Sequence, residues 1–387
     1  VYLWHWPILI FALEVRDMSE AGWKTGLAVI GGALSLAFLT KKLVEDPILR
    51  ARASSRPRNR RLALALSVTA AIGVSCVSAA GVIAVEHRAE VDRVAILAAM
   101  SSDCFGARSL AVDAECDGEL EETAVFPSSP YDDVSPLFDA ECSTGMTGTE
   151  IKQCVWGDPS SETRIALIGN SHAAVWMPAY AEIADRYGWR LDTYFKHSCT
   201  FNNASRTQSD DTWRTTCDEW VSDLTAFLAE EEAYEYVLTS AIAQNRAFRD
   251  PDTGAESFNA GVQGYESAWQ PLIDRGATIL AIRDYPRTTL ELIGCGVKTP
   301  HTPCSRSVEE ATVDFENEVL AVAADRVQGA EVVDMSNWFC ADGACPVVIG
   351  NVHVYRDAGH FTETFGRSLS EPLLHELKEQ AGFPDPQ

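Results

Sequence analysis

RIALIGNSHAAVWMPAYAEIADRYG, residues 164–188, decides the fold. Its first six residues form a short apolar run, and apolar positions then recur at helical spacing as far as Gly188, a residue suited to a helix C-cap. That is a strand running into a helix. Four more short runs follow: RLDTYF (190–195), YEYVLTS (234–240), ATILAIRD (277–284) and AEVVDM (330–335). Helical spacing fills residues 172–187, 217–231, 261–274, 308–325 and 363–380. Strands alternating with helices predict an α/β fold, a mainly parallel sheet flanked by helices.

The first run ends in IGNSH, which places Ser171 at the strand-to-helix turn. Ligands of open parallel sheets bind at the carboxyl ends of the strands, and a serine there presents its hydroxyl to that edge. Backbone N–H groups at the start of the following helix can hold a developing oxyanion. The same residue would serve equally well as a helix N-cap, so the short motif leaves both readings open. Near the other end the chain reads NVHVYRDAGHFT (351–362), with Asp357 three residues before His360. That step lets the carboxylate reach Nδ1 of the imidazole and leaves Nε2 to take a proton from Ser171. Serine after the first strand and Asp-x-x-His before the last helix predict a Ser171–His360–Asp357 triad. His172 either packs at the helix start or lines an acceptor pocket, and His353 is a second pocket candidate.

Charge divides the chain. Through Arg61 there are ten basic and five acidic residues; beyond it there are twenty-one and fifty-one. A region so acidic repels phosphate backbones, so nucleic acid is an unsuitable partner. The first fifteen residues are apolar and begin with Val, and they lack the basic start of a signal peptide, so the chain reads as a fragment of a longer protein. Residues 24–44 and 62–85 are each about long enough to cross a bilayer, which takes roughly 20 apolar residues. With the truncated first run this predicts three membrane segments in contact with lipid. Six arginines lie in RARASSRPRNRR, residues 50–61, and the positive-inside rule makes that loop cytoplasmic. Everything after Val85 is then extracytoplasmic. His5 and its neighbouring tryptophans suit either a polar face of the membrane segment or an interfacial belt. Glu45 and Arg50 flank Pro47 as a candidate surface ion pair.

Ten of the eleven cysteines lie beyond Val85 in near couples: Cys104/Cys116, Cys142/Cys154, Cys199/Cys217, Cys295/Cys304 and Cys340/Cys345. In an oxidising compartment the economical reading is five local disulfides, with zinc as the rival. No resident metal or cofactor is expected.

At this point two family resemblances emerge. IGNSH and DAGH are similar to the first and last blocks of the SGNH hydrolases, while YLWHWP (2–7) and VEDPILR (44–50) resemble the end of an acyltransferase-3 membrane domain. The order matches bacterial fusions of the two. The resemblance implies an SGNH-hydrolase-like, flavodoxin-like sheet preceded by transmembrane helices. Its domains would be the end of the membrane domain (1–61), a transmembrane helix (62–85), a linker and cap (86–162) and the SGNH-like domain (163–387). It implies O-acylation, usually O-acetylation, of a cell-surface glycan, with acyl-CoA, usually acetyl-CoA, as the cytoplasmic donor. An esterase that removes acyl groups, or a silent glycan-binding module, are the alternatives. Asn170 stands where the family commonly has Asp. The family's Gly and Asn oxyanion donors are also not evident, because Ala241 and Ile242 occupy the expected place. Asn245 and the Ser171 backbone N–H are then the candidate donors.

Overall fold

The computed structural model describes residues 4–9, 22–53, 57–112, 114–116, 124–138, 141–207, 210–243 and 248–383. The chain divides into two compact units, Val1–Val91 and Asp92–Gln387.

In the first unit, residues 4–9 are helical, and the indole N–H of Trp4 donates to Thr40 Oγ1 at 3.1 Å. Thr40 ends helix α1 (Trp23–Thr40). Among the described residues α1 is the one helix long and apolar enough to cross a membrane. A π-helical turn, Lys41–Glu45, leads into α2 (Asp46–Ala53). Here Asp46, rather than Glu45, takes the ion pairs, with Lys41 at 2.9 Å and Arg50 at 3.9 Å. Helix α3 (Pro57–Ala99) then runs unbroken through the apolar stretch 62–85. Most of the first apolar run, residues 10–15 included, lies outside the described residues.

The second unit is built on a six-stranded sheet. Its strands are β1 (Gln153–Gly157), β2 (Arg164–Gly169), β3 (Arg190–Phe195), β4 (Tyr236–Ser240), β5 (Thr278–Ile282) and β6 (Ala330–Val333). Their order is β1-β3-β2-β4-β5-β6, parallel throughout except for β1 at one edge. All six residues of β2 are buried, as expected of a strand covered on both faces. Alternation then sorts them. Ile165 and Leu167 join Leu191, Leu238 and Leu280 on one face, and Ala166 and Ile168 join Val237, Ile279 and Ala281 on the other. The five predicted runs are five of these strands, and Gly188 caps its helix in the left-handed conformation, φ 65°.

Three predicted helices are broken, two of them at a proline. Residues 172–187 form α4 (Ser171–Ala174) and α5 (Met177–Tyr187). Pro178 has no N–H for the carbonyl of Ala174, which instead accepts from Ser135 Oγ at 2.8 Å. Pro372 acts similarly near the C-terminus, where the predicted helix splits into Glu363–Ser368 and Ser370–Ala381. The stretch 308–325 becomes Val308–Ala311, a 3₁₀ turn Phe315–Asn317, and Val319–Arg326. The helices Asp211–Glu230 and Phe258–Ile273 start earlier than their apolar periodicity shows, because Asp210 and Ser257 cap them.

The sheet also takes in residues before 163. Strand β1 belongs to the sheet, and Phe105, Ala107 and Leu137 are buried in its core. Strand β1 escaped the sequence reading because it is a half-exposed edge strand with no apolar run. All five cysteine couples are joined as disulfides, closing loops of 5 to 18 residues. Cys76 is free.

Candidate active site

The site begins where β2 ends. Gly169 has φ +154°, and a Cβ there would stand 2.8 Å from the Cβ of Ala173, so only glycine lets the strand turn this sharply into α4. Asn170 is the N-cap, its Oδ1 accepting the His172 N–H at 2.9 Å. The cap is therefore Asn170, and Ser171 is left as the first helical residue, partly exposed at the carboxyl edge of the sheet. Strands β3 and β4 depart on opposite sides of β2, making this the switch point of the sheet.

Asp357 and His360 come together on a tight hairpin, Tyr355–Asp357 with His360–Phe361, rather than on a helical turn. His360 Nδ1 lies 2.9 Å from both carboxylate oxygens of Asp357. Gly359 N–H adds a bond to Asp357 Oδ1 at 2.8 Å. Burial opposes ionisation of Asp357, but the hydrogen bond and charge of His360 outweigh it and bring its pKa down to about 2. Burial lowers the pKa of His360, and Asp357 partly restores it. An ionised carboxylate can only accept, so Nδ1 carries the imidazole proton. Nε2 is then an acceptor. It is buried and has no hydrogen-bond partner among the described residues.

The His360 ring lies 5.5 Å from that of His172, the residue after Ser171. No hydrogen bond joins Ser171 to His360 Nε2 in this structure. Catalytic hydrogen bonds are often long without substrate and tighten when it binds. Phe138 packs edge-on to His360 at 5.8 Å and lies 5.8 Å from His197; it also lines an open cavity of about 500 Å³ with Val134, Pro136 and Trp156.

The other candidates separate. His172 turns inward, its Nδ1 2.7 Å from Asp284 Oδ1 with both side chains 4% exposed. His353 is a core residue instead of a pocket group: its N–H donates to Phe126 O, its carbonyl accepts from Thr362 Oγ1, and burial lowers its pKa to about 4. Asn245 lies outside the described residues, while Ala241 is buried at the end of β4. Sequence reading missed Asp284, Tyr285, His197 and Phe138. Only Asp284 left a trace, as the charged residue just past the ATILAI run.

Comparison with known proteins follows this geometry. The periplasmic domain of a lipopolysaccharide acetyltransferase from Salmonella ser. Paratyphi A is 14% identical over 57% of this chain and 83% of its own, with a TM-score of 0.42. A candidate acylhydrolase from Bacteroides fragilis is 12% identical over 58% and 90%, with a TM-score of 0.31. Curated proteins give no match. The family model of the SGNH domain, described as fused to AT3 domains, matches residues 141–374. Those residues contain Ser171, Asp357 and His360, and over them the chain belongs to the SGNH domain family.

Proposed function

We propose that the protein is a multi-pass membrane O-acyltransferase whose extracytoplasmic SGNH domain passes an acyl group, usually acetyl, to a hydroxyl of a cell-surface glycan. The observation that carries this reading is the buried, unpartnered Nε2 of His360, held in place by Asp357 beside the serine turn. Buried polar atoms are ordinarily satisfied, so an imidazole acceptor held open beside the serine turn suits a base that waits for a proton. Family membership and the apolar helix α1 are in keeping with it.

The mechanism is two-step acyl transfer. His360 Nε2 takes the Ser171 Oγ proton as Oγ attacks the acyl carbonyl, and the donor's leaving group departs with a proton from the imidazolium. The sugar hydroxyl then yields its proton to Nε2 and attacks the ester. Ser171 Oγ leaves and takes that proton back. Acyl-CoA is the cytoplasmic donor from which the acyl group originates, and the cavity beside Phe138 is where the acceptor would lie. Water in place of sugar would make the same site an esterase. The intact protein in detergent, given p-nitrophenyl acetate and a panel of methyl glycosides, should partition acetyl groups into sugar ester over free acetate. Free acetate alone at saturating glycoside would transfer the reading to an esterase. Absence of both products and of fluorophosphonate labelling would leave a glycan-binding module.

The pH dependence has a definite sign. His360 must be neutral to accept a proton, and burial holds its pKa below the ordinary value of about 6.5. Activity should therefore persist below that pH and fall with unit slope only as His360 protonates. An acid limb of kcat/KM centred above about 6.5 would contradict His360 as the base.

A further inference from the structure

The segment after β5, Asp284–Tyr285–Pro286–Arg287, touches both halves of the site at once. Towards the serine, Asp284 Oδ1 meets His172 Nδ1 at 2.7 Å, and Asp284 Oδ2 accepts the Ala243 N–H at 2.9 Å. The His172 ring also stacks on Tyr285, with centroids 5.1 Å apart and planes 15° from parallel. Towards the histidine, Tyr285 Oη donates to the Gly359 carbonyl at 2.6 Å, and Arg287 donates to that of Ala358 at 3.3 Å. Tyr355 Oη returns a bond to the Pro286 carbonyl at 2.7 Å. Behind the segment, the Asp284 N–H is held by Glu318 Oε1 at 2.7 Å, and Glu318 is fixed in turn by Arg283.

We infer that Asp284 is a positioning residue: acting through the buried His172, it sets the ring orientation and tautomer that hold Ser171 and His360 in register. The inference rests on the catalytic reading of Ser171 and His360. Bonds within a single element could not do this, because the serine turn and the Asp357–His360 hairpin lie nearly two hundred residues apart in sequence. The shared wall is Tyr285, against which His172 stacks and from which the hairpin carbonyl hangs. A carboxylate at position 284 can only accept, so it requires the proton on His172 Nδ1. The Ala243 N–H holds the other oxygen, so the carboxylate cannot rotate freely.

Asp284→Asn separates this role from packing. The amide oxygen can keep the Ala243 bond while its NH₂ donates to Nδ1, which moves the ring proton to Nε2 and lets the ring turn without changing the side-chain volume packed there. With p-nitrophenyl acetate as substrate, the intact protein carrying Asp284→Asn should lose about 100-fold in kcat, the scale of a misplacement near 1 Å, with KM and thermal midpoint unchanged. His172→Gln should lose a similar factor, and the double variant should be no worse than the single ones, since both act through one path. Unchanged kcat in Asp284→Asn, losses that multiply in the double variant, or a kcat loss that tracks a lowered midpoint would each overturn the inference. Ser171→Ala serves as the reference. If it retains turnover, the catalytic reading fails and takes the inference with it; if it is inactive while Asp284→Asn is fully active, the inference alone fails.

Discussion

Ser171→Ala should fold like the parent and lose about 10⁴- to 10⁶-fold in acyl transfer, together with all labelling by a fluorophosphonate. The reason lies in how little else in the site can act as nucleophile. The hydroxyl stands on the first helical residue after the tight Gly169 turn, and the cap belongs to Asn170, so removing Oγ costs the helix nothing. Asp357→Asn should approach the same loss, about 10⁴-fold, because an amide facing Nδ1 would donate and force the proton onto Nε2, the atom that has to accept one. The measurements are surface ester content in cells, labelling of the purified protein and circular dichroism as the folding control. Acylation that survives Ser171→Ala in a folded protein would remove the triad from the mechanism.

Asp192→Ala should cost about 3–5 kcal/mol of stability while leaving activity per folded molecule intact. Asp192 is fully buried in β3, 2.9 Å from the guanidinium of Arg164 at the start of β2. Arg190 and the hydroxyl of Tyr234 also bind it. Without the buried carboxylate, Arg164 keeps as ion-pair partners in the described residues the half-buried Glu231 and the exposed Glu232, and its charge stays inside the sheet. Replacing both Arg164 and Asp192 with apolar residues should cost less than the single change, since the buried guanidinium goes with its partner and the remaining Arg190 is partly exposed. Urea unfolding of the parent and the two variants checks this. A single-variant loss below about 1 kcal/mol would mean that water reaches the guanidinium.

The parts of this protein that were legible in the sequence are those governed by local rules. RIALIG and RLDTYF coincide with their strands because a strand buried on both faces must be apolar or internally paired along its whole length. Asp357 and His360 were legible because three residues is a short enough step for the chain itself to impose the contact. What was not legible depends on distant partners. Pro178 marks the break at Val175–Trp176 locally, but the partner that satisfies the freed Ala174 carbonyl, Ser135, is not readable from the helix itself. Asp284 looks like an ordinary strand-end acid until the fold delivers His172 to it. His353 differs: nearness in sequence to Asp357 suggested the site, but the whole stretch from Val352 to Tyr355 is buried and His353 lies in the core.

Strand β1 runs antiparallel along the outer side of β3, so on this side the parallel strands do not end in an open row of backbone donors and acceptors. Its own Cys154 is tethered to Cys142. Thiol-reducing surroundings would untie this guard strand while leaving the buried strands intact, uncovering a ready template for another chain. Made in a reducing cytosol, the domain would be prone to self-association through β3, so oxidation here protects solubility as much as it adds stability.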